Sequence, residues 1–219
     1  MKISVIVPVF NEKRTIEEVL RRIKNVKIKK EIIVVDDYST DGTRQLLKGI
    51  KDKEIKVLFH SRNKGKGAAI RTARPYITGD VVIIQDADLE YEPKDYLNLV
   101  KPIKNGRADV VYGSRFFGMH SFSSFWHYFG NKFLTWVTNV LYQSKLTDME
   151  TCYKAFKVST FLDLNIKAKR FDFEPEVTTK VLRAHVRVME VPVTYYARYG
   201  KAGGKRSPGK MAWQLSYGL

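Results

Sequence analysis

Val81-Val82-Ile83-Ile84-Gln85-Asp86-Ala87-Asp88-Leu89-Glu90 places three carboxylates at the end of a short apolar run. The run predicts a strand over 81–85. Two carboxylates one residue apart at a strand end repel each other and resist desolvation. A divalent cation relieves both, and its hard character calls for oxygen ligands. Glu90, two residues on, is a candidate third ligand. Solvated surface acids on a loop would show the same D-x-D spacing, so the motif by itself leaves both readings open.

The same grammar repeats on either side of this stretch. β-branched runs predict strands over 3–9, 31–35, 55–60 and 109–113. Helical patterns lie between them, over 12–25, from about 43, over 67–76 and over 94–104. A β-α-β-α rhythm of this kind predicts an α/β fold with a parallel sheet covered by helices. Polar residues follow the strand ends: Asn11, Asp36-Asp37, Arg62-Asn63, Asp86 and Asp88, and Arg115. In open α/β sheets that edge binds ligands. Asp37 is placed to accept hydrogen bonds from a base or ribose, whereas Thr40 or Asp41 suits the cap of the next helix. Arg62-Asn63-Lys64-Gly65-Lys66-Gly67 reads as a Gly-rich turn opening a helix amid positive charge. It lacks the first glycine and the Ser/Thr of a P-loop, and Ile70 replaces the third glycine of the dinucleotide fingerprint.

The second half differs. Residues 116–146 contain no acid, two lysines (Lys132 and Lys145) and ten of the chain's 27 aromatic residues. Phe125, Phe129, Phe133, Trp136, Val137 and Val140 follow helical spacing, and Trp126, Leu134 and Leu141 widen the stripe. Such a stripe can pack on the sheet or meet lipid at a bilayer interface, and both can hold for different faces. Further on, 152–157 and 188–196 read as strands and 159–164 and 175–184 as helices. The acid-free tail 198–210 reads as a basic loop.

The 219 residues carry 39 Lys+Arg against 23 Asp+Glu, a net charge of +16. That balance calls for an acidic partner: nucleic acid, an anionic membrane or a phosphorylated small molecule. A single cysteine, Cys152, excludes an intrachain disulfide framework and a Cys-based zinc site. The four histidines are scattered, and His60 and His185 suit structural roles. The N-terminus lacks a signal-peptide pattern, and no apolar run is long enough to span a bilayer. The expected location is therefore cytoplasmic, peripheral at the inner membrane face. The abrupt end after Trp213 reads as a chain cut short of a further segment.

Five segments in order carry a resemblance: Pro8-Val9-Phe10-Asn11-Glu12, Val34-Val35-Asp36-Asp37-Tyr38-Ser39-Thr40-Asp41-Gly42, Asn63-Lys64-Gly65-Lys66-Gly67, Gln85-Asp86-Ala87-Asp88-Leu89-Glu90, and Tyr112-Gly113-Ser114-Arg115-Phe116. Together they resemble the inverting, GT-A fold glycosyltransferases of family 2, most of all the dolichyl- or polyprenyl-phosphate mannose and glucose synthases. Leu146-Thr147-Asp148-Met149-Glu150-Thr151-Cys152-Tyr153-Lys154-Ala155-Phe156 and Phe173-Glu174-Pro175-Glu176 fit that subgroup too. The resemblance implies a Rossmann-like, mixed and mainly parallel sheet flanked by helices. Residues 1–115 would form the nucleotide-sugar half and 116–197 the acceptor half, with an amphipathic helix near 122–143. Residues 198–219 would supply a basic lid loop and a C-terminal segment.

The same resemblance implies site roles. Pro8, Glu12 and Asp37 would contact the nucleotide, with Lys66 nearby. Asp86 and Asp88 would bind Mg²⁺ or Mn²⁺ and with it the donor diphosphate, and Glu90 would add a ligand. Arg115 would bind the acceptor phosphate, and Lys205 and Arg206 would close over the diphosphate. His127 and Asn131 stand where relatives often carry a second arginine. The implied reaction moves a hexose from a GDP-mannose- or UDP-glucose-type donor to a polyprenyl or dolichyl phosphate. Asp88, Arg115 and Asp148 are the catalytic candidates. A lipid phosphate is already anionic near neutral pH and requires no strong base. A sugar-hydroxyl acceptor would require one, with Asp148 the candidate and Glu150 better suited to capping or bonding a neighbouring loop. A basic nucleic-acid-binding module is a weaker alternative, since there is no helix-turn-helix or zinc-finger pattern and no nucleic acid is expected as partner. The intact Asp86/Asp88 pair speaks against a catalytically dead scaffold.

Overall fold

The structure, a computed structural model, describes residues 1–117, 120–121, 125–168 and 172–197. Its first half alternates as predicted: β1 (Ile3–Val9), α1 (Ile16–Asn25), β2 (Lys30–Asp36), α2 (Thr43–Lys48), β3 (Ile55–Phe59), α3 (Lys66–Ala73), β4 (Val81–Ile84), α4 (Tyr96–Lys104) and β5 (Val110–Ser114). There follow β6 (His120–Ser121), α5 (Phe125–Tyr142), β7 (Lys154–Lys157), α6 (Val158–Asp163), α7 (Phe173–Arg183), β8 (Val188–Pro192) and β9 (Tyr195–Tyr196). Seven strands form one sheet in the order β3-β2-β1-β4-β7-β5-β8. Strand β7 runs antiparallel to both its neighbours, and every other pair is parallel. This is the mixed, mainly parallel sheet that the resemblance implied.

The core explains why these runs become strands. Ile32, Ile33, Val34 and Val35 are all buried, as a strand covered on both faces requires. On α1 the buried Ile16, Val19, Leu20 and Ile23 form the single apolar face of an amphipathic helix. Gly79 is needed for close approach, because a Cβ there would lie 2.8 Å from the backbone nitrogen of Ser4.

Three boundaries depart from the sequence reading for local reasons. Helix α1 begins at Ile16 rather than 12, because the Glu12 carbonyl accepts from Thr15 N (3.1 Å) and Ile16 N (3.0 Å) in a separate turn. The 67–76 helix changes to a 3₁₀ turn at Arg74–Tyr76, where Pro75 has no N–H to continue it. The predicted 188–196 strand splits after Pro192. Thr194 N then donates to Asp95 (2.7 Å), and β9 pairs with β6 outside the main sheet.

Helix α5 separates the two readings of the aromatic stripe by face. Phe129, Phe133, Leu134, Val140 and Leu141 are exposed, and so is Trp136 at 62%. Thr135 and Thr138 are buried on the opposite side. The helix thus turns Thr135 and Thr138 inward and these apolar residues outward, so this part of the stripe is not a sheet-packing face. Among the described residues no helix is long and apolar enough to cross a membrane.

Candidate active site

The strand ends of the central sheet carry unusual backbone. Asn11 after β1 (φ 55°), Tyr38 after β2 (φ 68°) and Leu89 after β4 (φ 65°) all adopt the left-handed conformation that non-glycine residues avoid. Strain of this kind persists where surrounding contacts over-determine it, and here they do. Asn11 N donates to Ser39 Oγ (2.9 Å), and Asn11 Oδ1 accepts from Thr40 N (2.8 Å). Glu12 N donates to Thr43 Oγ1 (2.9 Å), so the loops after β1 and β2 are laced together. Asp41 accepts from both Thr43 N (2.9 Å) and Thr43 Oγ1 (2.5 Å), supporting the start of α2 from one residue before its cap. Pro8 is half-buried near the end of β1, in register with Val35.

Asp37 organises the next loop. Its Oδ1 accepts from Lys64 N and pairs with His60 Nδ1, each at 2.7 Å, and its Oδ2 accepts from Gly65 N at 2.7 Å. Gly65 has φ +90°, which a side chain would resist. His60 Nε2 meets Thr72 Oγ1 at 2.9 Å, so His60 is a satisfied structural residue. This clamp sets Lys66 at the start of α3. Lys66 Nζ reaches Asp86 Oδ1 (2.8 Å), Glu174 Oε1 (2.7 Å) and Cys152 Sγ (3.5 Å). Burial works against the ammonium, but Asp86, Cys152 and Glu174 raise the Lys66 pKa well above the usual lysine value. Burial likewise works against the Asp86 carboxylate, and Lys66 keeps it below its ordinary range.

Asp86 and Asp88 flank the buried Ala87, with Gln85 between them and the end of β4. Asp88 Oδ1 accepts from Glu90 N (3.0 Å), an Asx turn that supports the strained Leu89 between them. Glu90 does not join the two aspartates in a ready ligand set. Its Oε2 accepts from Tyr195 OH (2.8 Å), and among the described residues no three His, Cys, Asp or Glu side chains gather as a metal site. The two aspartates remain a hard-oxygen pair suited to Mg²⁺ or Mn²⁺ whose other ligands come from a bound diphosphate.

On the neighbouring side of the edge, Arg115 follows β5. Its Nε and Nη2 each donate to Asp148 at 2.7 Å, and its backbone N donates to Asp148 Oδ2 at 3.0 Å. Burial opposes the guanidinium, but Tyr91 and Asp148 more than offset it, so Arg115 stays charged. The Asp148 loop is itself hung from Glu190 on β8, which accepts from Thr147 N (2.9 Å) and Asp148 N (3.2 Å). Both oxygens of the buried Asp148 carboxylate are thus engaged by the Arg115 guanidinium. Asp148 thereby fixes the orientation of the Arg115 guanidinium. Glu150 also departs from expectation: its buried Oε1 has no hydrogen-bond partner, and burial raises its pKa.

The remaining candidates divide. Asn131 lies on α5, where its Oδ1 accepts from Thr135 Oγ1 (3.4 Å), and His127 falls in the first turns of the same helix. Lys205 and Arg206 lie outside the described residues. The described chain ends at Ala197, just after Tyr196 N donates to the Glu90 carbonyl (2.8 Å). Sequence reasoning missed Glu174, Glu190 and Lys132. Lys132 Nζ sits 3.5 Å from the centroid of the Phe116 ring, next in sequence to Arg115, and its only signal was a firm charge in an acid-free stretch.

Comparisons with known proteins bear on the family and the fold. Over 119 residues, 53% of this chain, it is 38% identical to a dolichol-phosphate mannosyltransferase of Pyrococcus furiosus, covering 34% of that protein. It is 27% identical to an undecaprenyl-phosphate mannosyltransferase of Micrococcus luteus, covering 90% of this chain and 85% of the relative. A UDP-N-acetylglucosamine–dolichyl-phosphate N-acetylglucosaminyltransferase of Methanococcus voltae is 28% identical over 92% of this chain and 89% of its own length. The chain thus spans about a third of the Pyrococcus furiosus enzyme but most of the other two. Among solved structures, a mannosyltransferase from Pyrobaculum calidifontis in complex with GDP-Man and Mn²⁺ superposes with a TM-score of 0.67 at 24% identity, covering 97% of this chain and 59% of that one. Glucosyl-3-phosphoglycerate synthase from Mycobacterium tuberculosis, with Mn²⁺ and UDP, gives 0.70 at 20% identity, covering 96% and 75%. These likenesses show a GT-A fold. The family model described as glycosyl transferase family 2 matches residues 4–164, most of the chain, and the chain belongs to that family.

Proposed function

We propose that this chain transfers a hexose from a nucleotide-diphosphate sugar to a polyprenyl phosphate at the cytoplasmic face of a membrane. The observation that carries the reading is a juxtaposition. Donor-type carboxylates after β4 share one sheet edge with the charged, clamped Arg115, and the helix that follows Arg115 turns an apolar face outward. The named activities of the relatives, and the nucleotide sugars and Mn²⁺ in the neighbouring structures, support it.

In this reading Pro8, Glu12 and Asp37 would border the nucleotide, and Asp86 and Asp88 would hold a divalent cation. A divalent cation there supplies charge stabilisation to the leaving diphosphate. Lys66 adds a second positive charge, and Lys205 and Arg206 of the tail close over the phosphates. Arg115 orients the acceptor phosphate through the fork that Asp148 holds in place. Lys132, with His127 and Asn131 on the same helix, supplements it. The phosphate oxygen attacks without a general base, consistent with an Asp148 that is fully occupied.

Transfer to a sugar hydroxyl is the second reading. One observation favours it: Glu150 keeps an unpartnered buried oxygen and a raised pKa near Arg115 and Asp148, properties of a general base. A screen of UDP- and GDP-sugars against polyprenyl phosphate, with Mg²⁺ or Mn²⁺ and products identified by mass, separates the two. Glycosylated lipid phosphate is the expected product, and transfer only to glycan hydroxyls would overturn the lipid reading.

The membrane face has its own test. Flotation with anionic vesicles should carry the protein upward at low salt and less so as salt rises. The double substitution Phe133→Asp/Trp136→Asp should abolish flotation while leaving the thermal midpoint within a few degrees, since both side chains are exposed. Flotation unchanged in that variant would remove α5 from the membrane contact.

A further inference from the structure

Lys66 is an unusual occupant for the donor edge. Its ammonium sits between Asp86 Oδ1 and Glu174 Oε1 at 2.8 and 2.7 Å, and only 14% of the side chain is exposed. A cation already neutralises the carboxylate that the donor-site reading assigns to a metal ion. The arrangement is built from both halves of the fold. A Cβ on Gly67 would lie 2.4 Å from the Ala168 carbonyl oxygen, so the start of α3 is pressed against the segment leading into α7. Arg71 Nη1 donates to the carbonyls of Lys167 (2.6 Å) and Ala168, while Glu176 accepts from Lys167 N (2.8 Å) and Ala168 N (2.5 Å). These contacts fix the beginning of α7, and therefore Glu174, at a set distance from Lys66.

We propose that Lys66 is a place-holding cation that excludes divalent metal from Asp86 until a nucleoside diphosphate arrives, and that Glu174 is the positioning residue that holds it there. The proposal rests on the donor-site reading above. The charges decide the order of events. A free divalent ion approaching Asp86 meets the Lys66 ammonium at hydrogen-bond distance from the ligand oxygen, with the buried Lys154 adding positive field behind it. Like charges at that separation in a poorly solvated site repel strongly. A diphosphate offers Lys66 new anionic oxygens, so the ammonium can exchange Asp86 for phosphate without becoming unpaired. Glu174 keeps its end of the pair throughout, which limits the exchange to a short swing.

The test is Mn²⁺ binding to the full chain, followed by electron paramagnetic resonance, first without nucleotide and then with UDP or GDP. Lys66→Gln should bind Mn²⁺ at least about tenfold more tightly than wild type when no nucleotide is present. That advantage should shrink once the nucleotide is added and vanish in the Lys66→Gln/Asp86→Asn double variant. Glu174→Gln should move the same way by a smaller factor and strengthen nucleotide-free Mn²⁺ binding, because Lys66 then loses the carboxylate that holds it against Asp86. This second variant keeps the question open to measurement should Lys66→Gln fold poorly. Equal nucleotide-free affinity in wild type and either folded variant would overturn the place-holder role. Absence of Mn²⁺ binding to wild type even with both nucleotides would instead overturn the donor-site reading, and the proposal with it.

Discussion

Asp88→Asn is expected to reduce sugar transfer by a factor of about 10³ or more while leaving the fold intact. Cation-mediated stabilisation of a leaving diphosphate is worth several kcal/mol, and each ~1.4 kcal/mol is a factor of ten in rate. The amide substitution keeps the side-chain oxygen that accepts from Glu90 N, so the Asx turn under the left-handed Leu89 survives and only the charge is lost. The apolar residues of β4 that anchor the loop, Val81 to Ile84, are buried independently of Asp88. Stability should therefore change by less than about 1 kcal/mol. The check is the initial rate at saturating donor across a Mn²⁺ and Mg²⁺ series, alongside thermal unfolding. Full metal-stimulated activity in this variant would sink the assignment of Asp88. Asp86→Asn is a less clean variant, because it also removes the partner of Lys66.

The two carboxylates of that loop were legible because their signal is local: an apolar run, then acids, at one strand end. What was not legible depended on which residues meet across the fold. Glu174 is 108 positions from Lys66 and Glu190 is 42 from Asp148. On a helix and a strand read singly, each looks like an ordinary solvated acid. The stripe of α5 shows a related limit. Periodicity revealed that Phe129, Phe133, Trp136 and Val140 share a face, but only the fold shows that this face points away from the protein. Strand direction was hidden for the same reason. Residues 154–157 read as a strand, yet nothing in a short run encodes that it is inserted antiparallel between β4 and β5. Asp37 stood out as an acid at a strand end, but its oxygens hold Lys64 N and Gly65 N, a partnership that no spacing rule reveals.

Arg115 makes the second large prediction, and its difficulty is that binding and stability are tangled at the same atoms. Arg115→Ala should lower kcat/KM for the lipid phosphate by about 10²–10³, the loss of a bidentate, charge-assisted contact, while changing the donor KM by no more than about twofold. It should also destabilise the protein by about 3–5 kcal/mol, because Asp148 is fully buried and would be left without its guanidinium. A loss of activity in that variant alone would therefore be ambiguous. Arg115→Gln/Asp148→Asn resolves it, since a neutral pair can hydrogen-bond across the same gap without a buried unpaired charge. Most of the stability should return in the double variant, and acceptor recognition should not. Arg115→Lys sharpens the point further: it keeps the charge but loses the planar fork, so acceptor KM should still rise about tenfold. Equal losses for donor and acceptor across this series, or acceptor binding restored together with stability, would show that Arg115 supports the loop and does not bind the phosphate.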